Sequence, residues 1–330
     1  MRKVICVEPN RLEIVEAEIP KPSPTQVLIE TRAVGLCSTD LYVMTGKDSD
    51  ATYPTELIGH EPNGVVVEVG SEVTRVKPGD RVSTLWALGG FMAYADYYLQ
   101  EEPYVYPMPE GIPFAYGLAE PLAAISRCVF GADIQPGDAV CVVGAGYFGQ
   151  LIAQGVRYRG AFRVGIVDRV PERLAIARRR GADGAYNVAE GGIEQAKAEL
   201  TGGEGFDVVI EAAGVQGGID TATELLRHAG TIYVYGLHVR EETINVKAWH
   251  YKSPRIQNNH WMYPVPFTTE RWLRLGAIGL DMMARGVYRC EEIITGITGV
   301  EEIARAVDTM LHHPDQIVKA VIGPKAGGVE

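Results

Sequence analysis

After about residue 125 the sequence alternates between strand-like and helix-like segments of similar length. AVCVVG is followed by QLIAQGVRYRG, RVGIVD by PERLAIARRRGA, and DVVIEAAG by IDTATELLRHAG, with TIYVYG next. Elements that alternate in this way form a parallel sheet with right-handed crossover connections. The alternation therefore predicts an α/β domain with a doubly wound parallel sheet over residues 125–262.

A glycine-rich turn opens the first of these strand–helix units. Gly144, Gly146 and Gly149 form G-x-G-x-x-G between the strand and the helix, and Asp168 ends the next strand. The first glycine allows a tight turn, the second lets the backbone approach a pyrophosphate, and the third lets helix and strand pack closely. A glycine turn can also arise for packing alone, but strand, turn, helix and acid together predict a dinucleotide site.

Asp168 also bears on which dinucleotide binds. It lies 19 residues after Gly149, the spacing expected of an acid that accepts hydrogen bonds from the adenosine ribose. Its negative charge would repel a 2′-phosphate, so NAD is predicted over NADP. The neighbouring Arg169 keeps NADP open, because an arginine here can accommodate that phosphate.

The first 110 residues have a different texture. VLIETRAVGL, GVVVEVG and YADYYLQ are strand-like and are separated by turns rich in proline and glycine. Late helical patterns lead to a final strand, IVKAVIG, which needs a sheet to join. A chain of 330 residues suits two domains, and we expect residues 1–124 and 263–330 to form the β-rich one.

Charge and composition exclude several functions. The net charge of −11 does not suit a nucleic-acid surface. The chain has no run of about 18 apolar residues that would predict a membrane span. Its five cysteines are odd in number and widely spaced, without C-x-x-C, which favours a reducing compartment and hence the cytoplasm.

Four side chains raise the question of a metal. His60 and Glu61 are neighbours, and a pair like this most often decorates a surface turn. Cys37 ends an apolar segment, and Glu120 is an acid in an apolar stretch, where an unpaired charge is costly. An inert thiol and a helix-end charge are the plain alternatives. Together the four supply a thiolate, an imidazole and two carboxylates, which is a plausible zinc set.

Three motifs give the sequence a family resemblance. GHEPNGVVVEVGSEV, CSTD and AEPLA resemble motifs of the zinc-containing alcohol dehydrogenases, and GAGYFG, EAAG and IVKAVIG follow in the same order. The chain resembles a medium-chain dehydrogenase/reductase, nearest to the sorbitol, threonine and polyol dehydrogenase branch. The resemblance implies a GroES-like β-rich catalytic domain beside a Rossmann domain. It also implies zinc-dependent hydride transfer between NAD and a secondary alcohol or ketone, such as a polyol, sugar or cyclitol.

The resemblance also assigns residues to roles. The implied catalytic zinc ligands are Cys37, His60 and Glu120, with Glu61 ligating or lying just behind the metal. Thr39 is the implied proton acceptor, and Asp40 an implied partner of the histidine. The implied cofactor contacts are Gly144, Gly146, Phe148 and Gly149 at the pyrophosphate, Asp168 at the adenosine ribose and Lys319 at a phosphate. Arg169, beside Asp168, is a further candidate cofactor contact.

Two departures from the family pattern matter. Residues 82–98 contain no cysteine, so the lobe that carries a structural zinc in relatives is expected to be missing and one zinc is expected. Leu41 and Tyr42 replace the usual histidine, so the proton path beyond Thr39 stays open. Aromatic side chains that could line the substrate pocket, or equally pack in the core, are Tyr42, Trp86, Phe91 and Tyr94.

Two other functions remain as alternatives. One is a zinc-free quinone or enone reductase of the same superfamily, which would have no use for the metal-binding residues. The other is a non-catalytic dinucleotide-binding protein. The family also implies a homodimer or homotetramer.

Overall fold

The computed structural model describes residues 1–47, 50–85, 93–258 and 269–324. Its strands are β1 (Arg2–Glu8), β2 (Arg11–Glu16), β3 (Gln26–Gly35), β4 (Glu61–Val69), β5 (Arg81–Thr84), β6 (Tyr97–Glu101), β7 (Val105–Pro107), β8 (Ala139–Val143), β9 (Arg163–Asp168), β10 (Gly184–Asn187), β11 (Phe206–Glu211), β12 (Leu226–Val234), β13 (Arg255–Asn258), β14 (Ile294–Gly299) and β15 (Lys319–Gly323). Its helices are α1 (Ser38–Thr45), α2 (Ala119–Gly131), α3 (Tyr147–Tyr158), α4 (Pro171–Arg179), α5 (Gly192–Thr201), α6 (Gln216–Leu225), α7 (Val246–Lys252), α8 (Thr269–Ala284) and α9 (Ile303–His312). Among these residues no helix has both the length and the apolar character needed to cross a membrane.

The chain divides into two compact units. Unit 1 contains Met1–Ala123, Leu273–Arg285 and Ile294–Glu330, and unit 2 contains Ala124–Trp272 and Gly286–Ile293. Residues 286–293, predicted to belong to the β-rich domain, cluster with unit 2. The reason is Tyr288, which is buried with its hydroxyl 3.3 Å from that of Ser126.

Unit 2 contains a parallel sheet of six strands in the order β10-β9-β8-β11-β12-β13. The inner strands are almost continuously apolar, as expected of a sheet covered on both faces. The order reverses direction between β8 and β11, which creates the crevice where doubly wound sheets bind ligands. The predicted doubly wound sheet is confirmed.

One predicted helix in unit 2 is too long. The pattern predicts a helix over residues 219–230, but α6 ends at Leu225 and the chain enters β12 at Leu226. Pairing with β11 overrides the helical pattern here. The pairing register shifts in this stretch, and Ala229 takes a positive φ of 54°.

Unit 1 contains a seven-stranded sheet in the order β14-β15-β3-β4-β5-β7, with β6 paired to β3. The final strand β15 pairs antiparallel with β3, so the C-terminal part of the chain rejoins the first sheet. Apolar residues from β3, β4 and β15 form its core together with α9, including Ile29, Val66, Ala320 and Ile303. This is the β-rich partner of the predicted fold class.

A buried ion pair crosses this sheet. Lys319 begins β15, Glu61 begins β4, and the Lys319 Nζ lies 2.5 Å from Glu61 Oε2, with side-chain exposures of 3% and 0%. Gly35 of β3 makes room for the carboxylate, since a Cβ at Gly35 would lie 2.0 Å from Glu61 Oε2. Removing one partner of a buried pair leaves an uncompensated charge in a medium that solvates it poorly.

We therefore expect Lys319→Met to lower the free energy of unfolding by about 3–5 kcal/mol. Adding Glu61→Gln should restore part of the loss, because no carboxylate is then stranded. Lys77→Met is the control, since Lys77 pairs with Asp80 at 3.0 Å while 80% exposed and should change little. Urea unfolding with a metal chelator present measures all four proteins. Equal stability of Lys319→Met and wild type would contradict the importance of the pair.

Candidate metal and dinucleotide sites

Three of the predicted metal ligands come together in unit 1. One ligand atom from each of Cys37, His60 and Glu61 lies within 4.8 Å of the others. Cys37 directly precedes α1, and the other two lie at the start of β4. The pairing of β3 with β4, which sets Gly35 opposite Glu61, brings the ends of these segments together.

Asp40 organises this cluster. Its carboxylate accepts hydrogen bonds from the backbone N–H of Cys37 at 3.1 Å and of Gly59 at 2.8 Å. Its Oδ1 also lies 3.3 Å from Nδ1 of His60. A hydrogen bond at one ring nitrogen fixes the orientation of a histidine and leaves the other nitrogen for a metal. The predicted partnership of Asp40 and His60 is therefore seen in the geometry.

The electrostatics of the cluster suit a cation. Burial opposes charge on the His60 ring, but Asp40 and Cys37 raise its pKa well above the usual value. The Oε1 of Glu61 is buried and has no hydrogen-bond partner within the described residues. A buried carboxylate oxygen without a partner is costly, and a divalent ion beside the thiol and imidazole would satisfy it. The donor set of sulfur, nitrogen and oxygen fits zinc.

Glu120 lies beside this cluster, outside its three-member group. It is half-buried in the first turn of α2. Burial, together with the charge of Glu61, raises the pKa of Glu120 to about 7, although His60 opposes the shift. Its charge is thus coupled to the same site, which fits a carboxylate that a bound cation would ionise.

Two polar residues that the sequence analysis missed anchor the helix that carries Glu120. Asn63 of β4 donates to the carbonyls of Phe114 at 2.6 Å and Gly117 at 3.0 Å, and the hydroxyl of Ser83 accepts from Ala119 N at 2.8 Å. Asn63 and Ser83 are paired across β4 and β5 and are fully buried. In the sequence each of them is a polar residue among the apolar residues of a strand, and this pattern could have indicated a buried hydrogen-bonding role.

The predicted proton acceptor and pocket residues have mixed outcomes. Thr39 is exposed near the start of α1, with Oγ1 3.8 Å from the Cys37 sulfur. Tyr42 is half-buried on α1. Trp86 and Phe91 lie outside the described residues.

Tyr94 packs in the core, which is the second of the two positions that the sequence left open for it. It is 3% exposed, and its hydroxyl donates to Asp40 Oδ2 at 3.0 Å, so it does not line an open pocket. Its alternation in the strand-like YADYYLQ could have suggested either an inward or an outward ring.

Lys319 requires a correction. The resemblance implied a phosphate contact, but Lys319 is 2% exposed within unit 1 and donates to Glu61. Burial opposes its charge, yet Glu61 and Cys37 raise the pKa of Lys319, so it stays protonated. It compensates the acids of the metal cluster.

The glycine-rich turn in unit 2 has the shape that a dinucleotide needs. Gly144 takes a φ of +102°, and a Cβ on Gly149 would lie 1.8 Å from the Gly144 carbonyl oxygen. A Cβ on Gly146 would meet only Arg173, at 3.8 Å, so the space above this glycine is open. The N-terminus of α3 has no cap from its own N-cap residue, because that residue is Gly146. Its first N–H groups are thus available to an anion.

Asp168 lies at the end of β9, beside this turn. Its carboxylate accepts from the N–H of Ala145 at 2.6 Å, of Arg169 at 2.7 Å and of Val170 at 2.9 Å. These bonds fix the acid at the carboxyl edge of the sheet. Arg169 itself is exposed, and Phe148 is half-buried with its ring centroid 5.7 Å from that of Tyr235.

Comparisons with known proteins agree with this geometry. Residues 23–110 match the alcohol dehydrogenase GroES-like domain, and residues 148–275 match the zinc-binding dehydrogenase family. An L-threonine 3-dehydrogenase of Saccharopolyspora erythraea is 33% identical over 265 residues, covering 72% of this chain and 77% of that protein.

Two further relatives cover more of the chain. A protein described as a D-xylulose reductase of Rhizobium meliloti is 28% identical over 314 residues, covering 87% of this chain and 88% of that protein. The crystal structure of an oxidoreductase/dehydrogenase of unknown specificity from Escherichia coli superposes with a TM-score of 0.85 at 27% identity, covering 98% of each chain. The chain belongs to the zinc-containing alcohol dehydrogenase family of medium-chain dehydrogenases/reductases and is an oxidoreductase of that family.

Proposed function

We propose that the protein is a zinc- and NAD-dependent dehydrogenase of a secondary alcohol, with a polyol, sugar or cyclitol as the substrate class. The observation that carries the proposal is the cluster of Cys37, His60 and Glu61, with the unpartnered Glu61 oxygen among them. Relatives named for D-xylulose and threonine support an alcohol carbon that bears polar neighbours.

In this proposal the residues of unit 1 that surround the metal each have a role. Cys37, His60 and Glu61 hold the metal, with Glu120 as the further carboxylate. Zinc supplies Lewis acidity that lowers the pKa of an alcohol, and the nicotinamide supplies the hydride acceptor. Asp40 keeps the His60 ring in one orientation through its 3.3 Å contact. The exposed Thr39 hydroxyl takes the substrate hydroxyl proton at its Oγ1, where solvent can carry the proton onward.

Unit 2 binds the cofactor in this proposal. Gly146 and the N-terminus of α3 would hold the pyrophosphate, and Asp168 would accept hydrogen bonds from the adenosine ribose hydroxyls. Its fixed negative charge disfavours a 2′-phosphate, so NAD is preferred. A homodimer or homotetramer, and the cytoplasm as compartment, stay predictions.

Metal removal and replacement test the metal assignment. We expect about one zinc ion per chain in the purified protein and loss of NAD reduction on a polyol panel after chelation, with recovery on adding zinc. A metal-free protein that reduces quinones or enones would favour the alternative reductase. Nucleotide binding without turnover of any alcohol would favour a non-catalytic protein.

Cys37→Ala should abolish both zinc retention and alcohol oxidation while leaving NAD binding nearly intact, because the thiol lies in unit 1 and the glycine turn in unit 2. Cys6→Ala is the matched control, since Cys6 is a fully buried thiol of the same unit and has no role in the proposal. Metal analysis and NAD titration of both variants measure the effect. Full zinc content in Cys37→Ala would refute its role as a ligand.

Asp168→Ala should weaken NAD binding by about 10–100-fold, because hydrogen bonds to a charged acceptor are lost. It should weaken NADP binding less, so the preference for NAD falls. Asp207→Ala is the control. Asp207 also accepts a hydrogen bond from a backbone N–H, that of Ala139 at 2.7 Å, but it lies where β8 and β11 begin, at the edge of the sheet opposite to Asp168. An unchanged preference in Asp168→Ala would remove the role given to this acid.

A further inference from the structure

Tyr94 is buried against the turn that carries His60. Its hydroxyl lies 3.0 Å from Asp40 Oδ2 and 3.3 Å from the Gly35 carbonyl oxygen. Its ring covers Gly59, where an added Cβ would lie 2.9 Å from Tyr94 Cδ2. Gly59 has a φ of +87°, so the ring packs on a backbone turn that few other residues adopt. Tyr94 thus contacts both the turn and the acid that orients the histidine.

Asp40 connects the separate segments that supply the metal ligands. Its Oδ1 faces Gly59 N and His60 Nδ1, and its Oδ2 receives Cys37 N and the Tyr94 hydroxyl. Asp40 is 1% exposed, so bulk solvent has little access to its carboxylate. Of these partners the Tyr94 hydroxyl is the one outside the two ligand segments, and it fixes the carboxylate from a third direction.

We propose that Tyr94 is a positioning residue of the metal centre. Its hydroxyl fixes the rotation of the Asp40 carboxylate. The carboxylate then aligns the His60 ring and the Cys37 backbone for binding a zinc ion. The inference rests on the proposed metal function. A phenylalanine would fill the same volume over Gly59, so the ring explains the packing and the hydroxyl is needed only for Asp40.

The strength of the effect follows from what the hydroxyl contributes. Without it, Asp40 Oδ2 keeps only the 3.1 Å bond from Cys37 N among the described residues, and the carboxylate is held less firmly in the rotation that faces His60. Loss of Asp40 itself, the outer partner of the metal-binding histidine, would cost about 10–100-fold in metal affinity, and loss of the Tyr94 hydroxyl, which acts through Asp40, should cost less. Nucleotide binding in unit 2 should not change.

The test compares Tyr94→Phe with wild type by competition for zinc against a chromophoric chelator, and by the visible spectrum of the cobalt-substituted protein. Tyr98→Phe is the matched control, because Tyr98 is also buried and its hydroxyl lies 3.4 Å from that of Thr84. We expect Tyr94→Phe to lose up to about tenfold in zinc affinity with an altered cobalt spectrum, and Tyr98→Phe to resemble wild type. Circular dichroism reports the overall fold of each variant, and NAD titration reports whether unit 2 is intact.

A double-mutant cycle separates positioning from general packing. In an Asp40→Asn background, Tyr94→Phe should have little further effect on zinc affinity, because the two residues act through one contact. Unchanged affinity in the Tyr94→Phe single variant, or equal losses in both backgrounds, would overturn the inference. Wild-type protein that binds no zinc would instead refute the proposed function.

Discussion

The buried carboxylate of Glu61 is the constraint on which the metal site depends. One oxygen is paired with Lys319 at 2.5 Å, and the other has no partner among the described residues. The pair needs three strands in register, because Gly35 of β3 must leave space between β4 and β15. The fold therefore supports a charge in the sheet interior, and the same arrangement sets Glu61 beside Cys37 and His60.

The polar network around this charge joins several separate segments of unit 1. Asp40 joins the segment of Cys37 to that of His60, and Asn63 with Ser83 fixes the start of the helix that bears Glu120. Asp40 lies in the first turn of α1, where backbone groups are free to bond side chains, whereas Asn63 and Ser83 lie within β4 and β5. The metal centre is thus a property of the sheet and its adjoining helix starts.

The parts of the site that could be predicted from the sequence are those whose residues are close together along the chain. Gly144, Gly146 and Gly149 have fixed spacing within one turn, and their geometry follows from that spacing. The partner of Glu61 could not be predicted, because Lys319 is 258 residues away and only strand pairing joins them. The contact of Tyr94 with Asp40 could not be predicted, because a strand pattern gives the spacing of a side chain but not the acid that its hydroxyl meets.

The central claim is that the Cys37 sulfur, the His60 imidazole and at least one carboxylate oxygen bind the same ion. X-ray absorption at the zinc edge of the metal-loaded protein tests it most directly. The account predicts one sulfur at about 2.3 Å and the remaining nitrogen and oxygen ligands at about 2.0–2.2 Å. A spectrum with no sulfur ligand, or with several, would contradict the account.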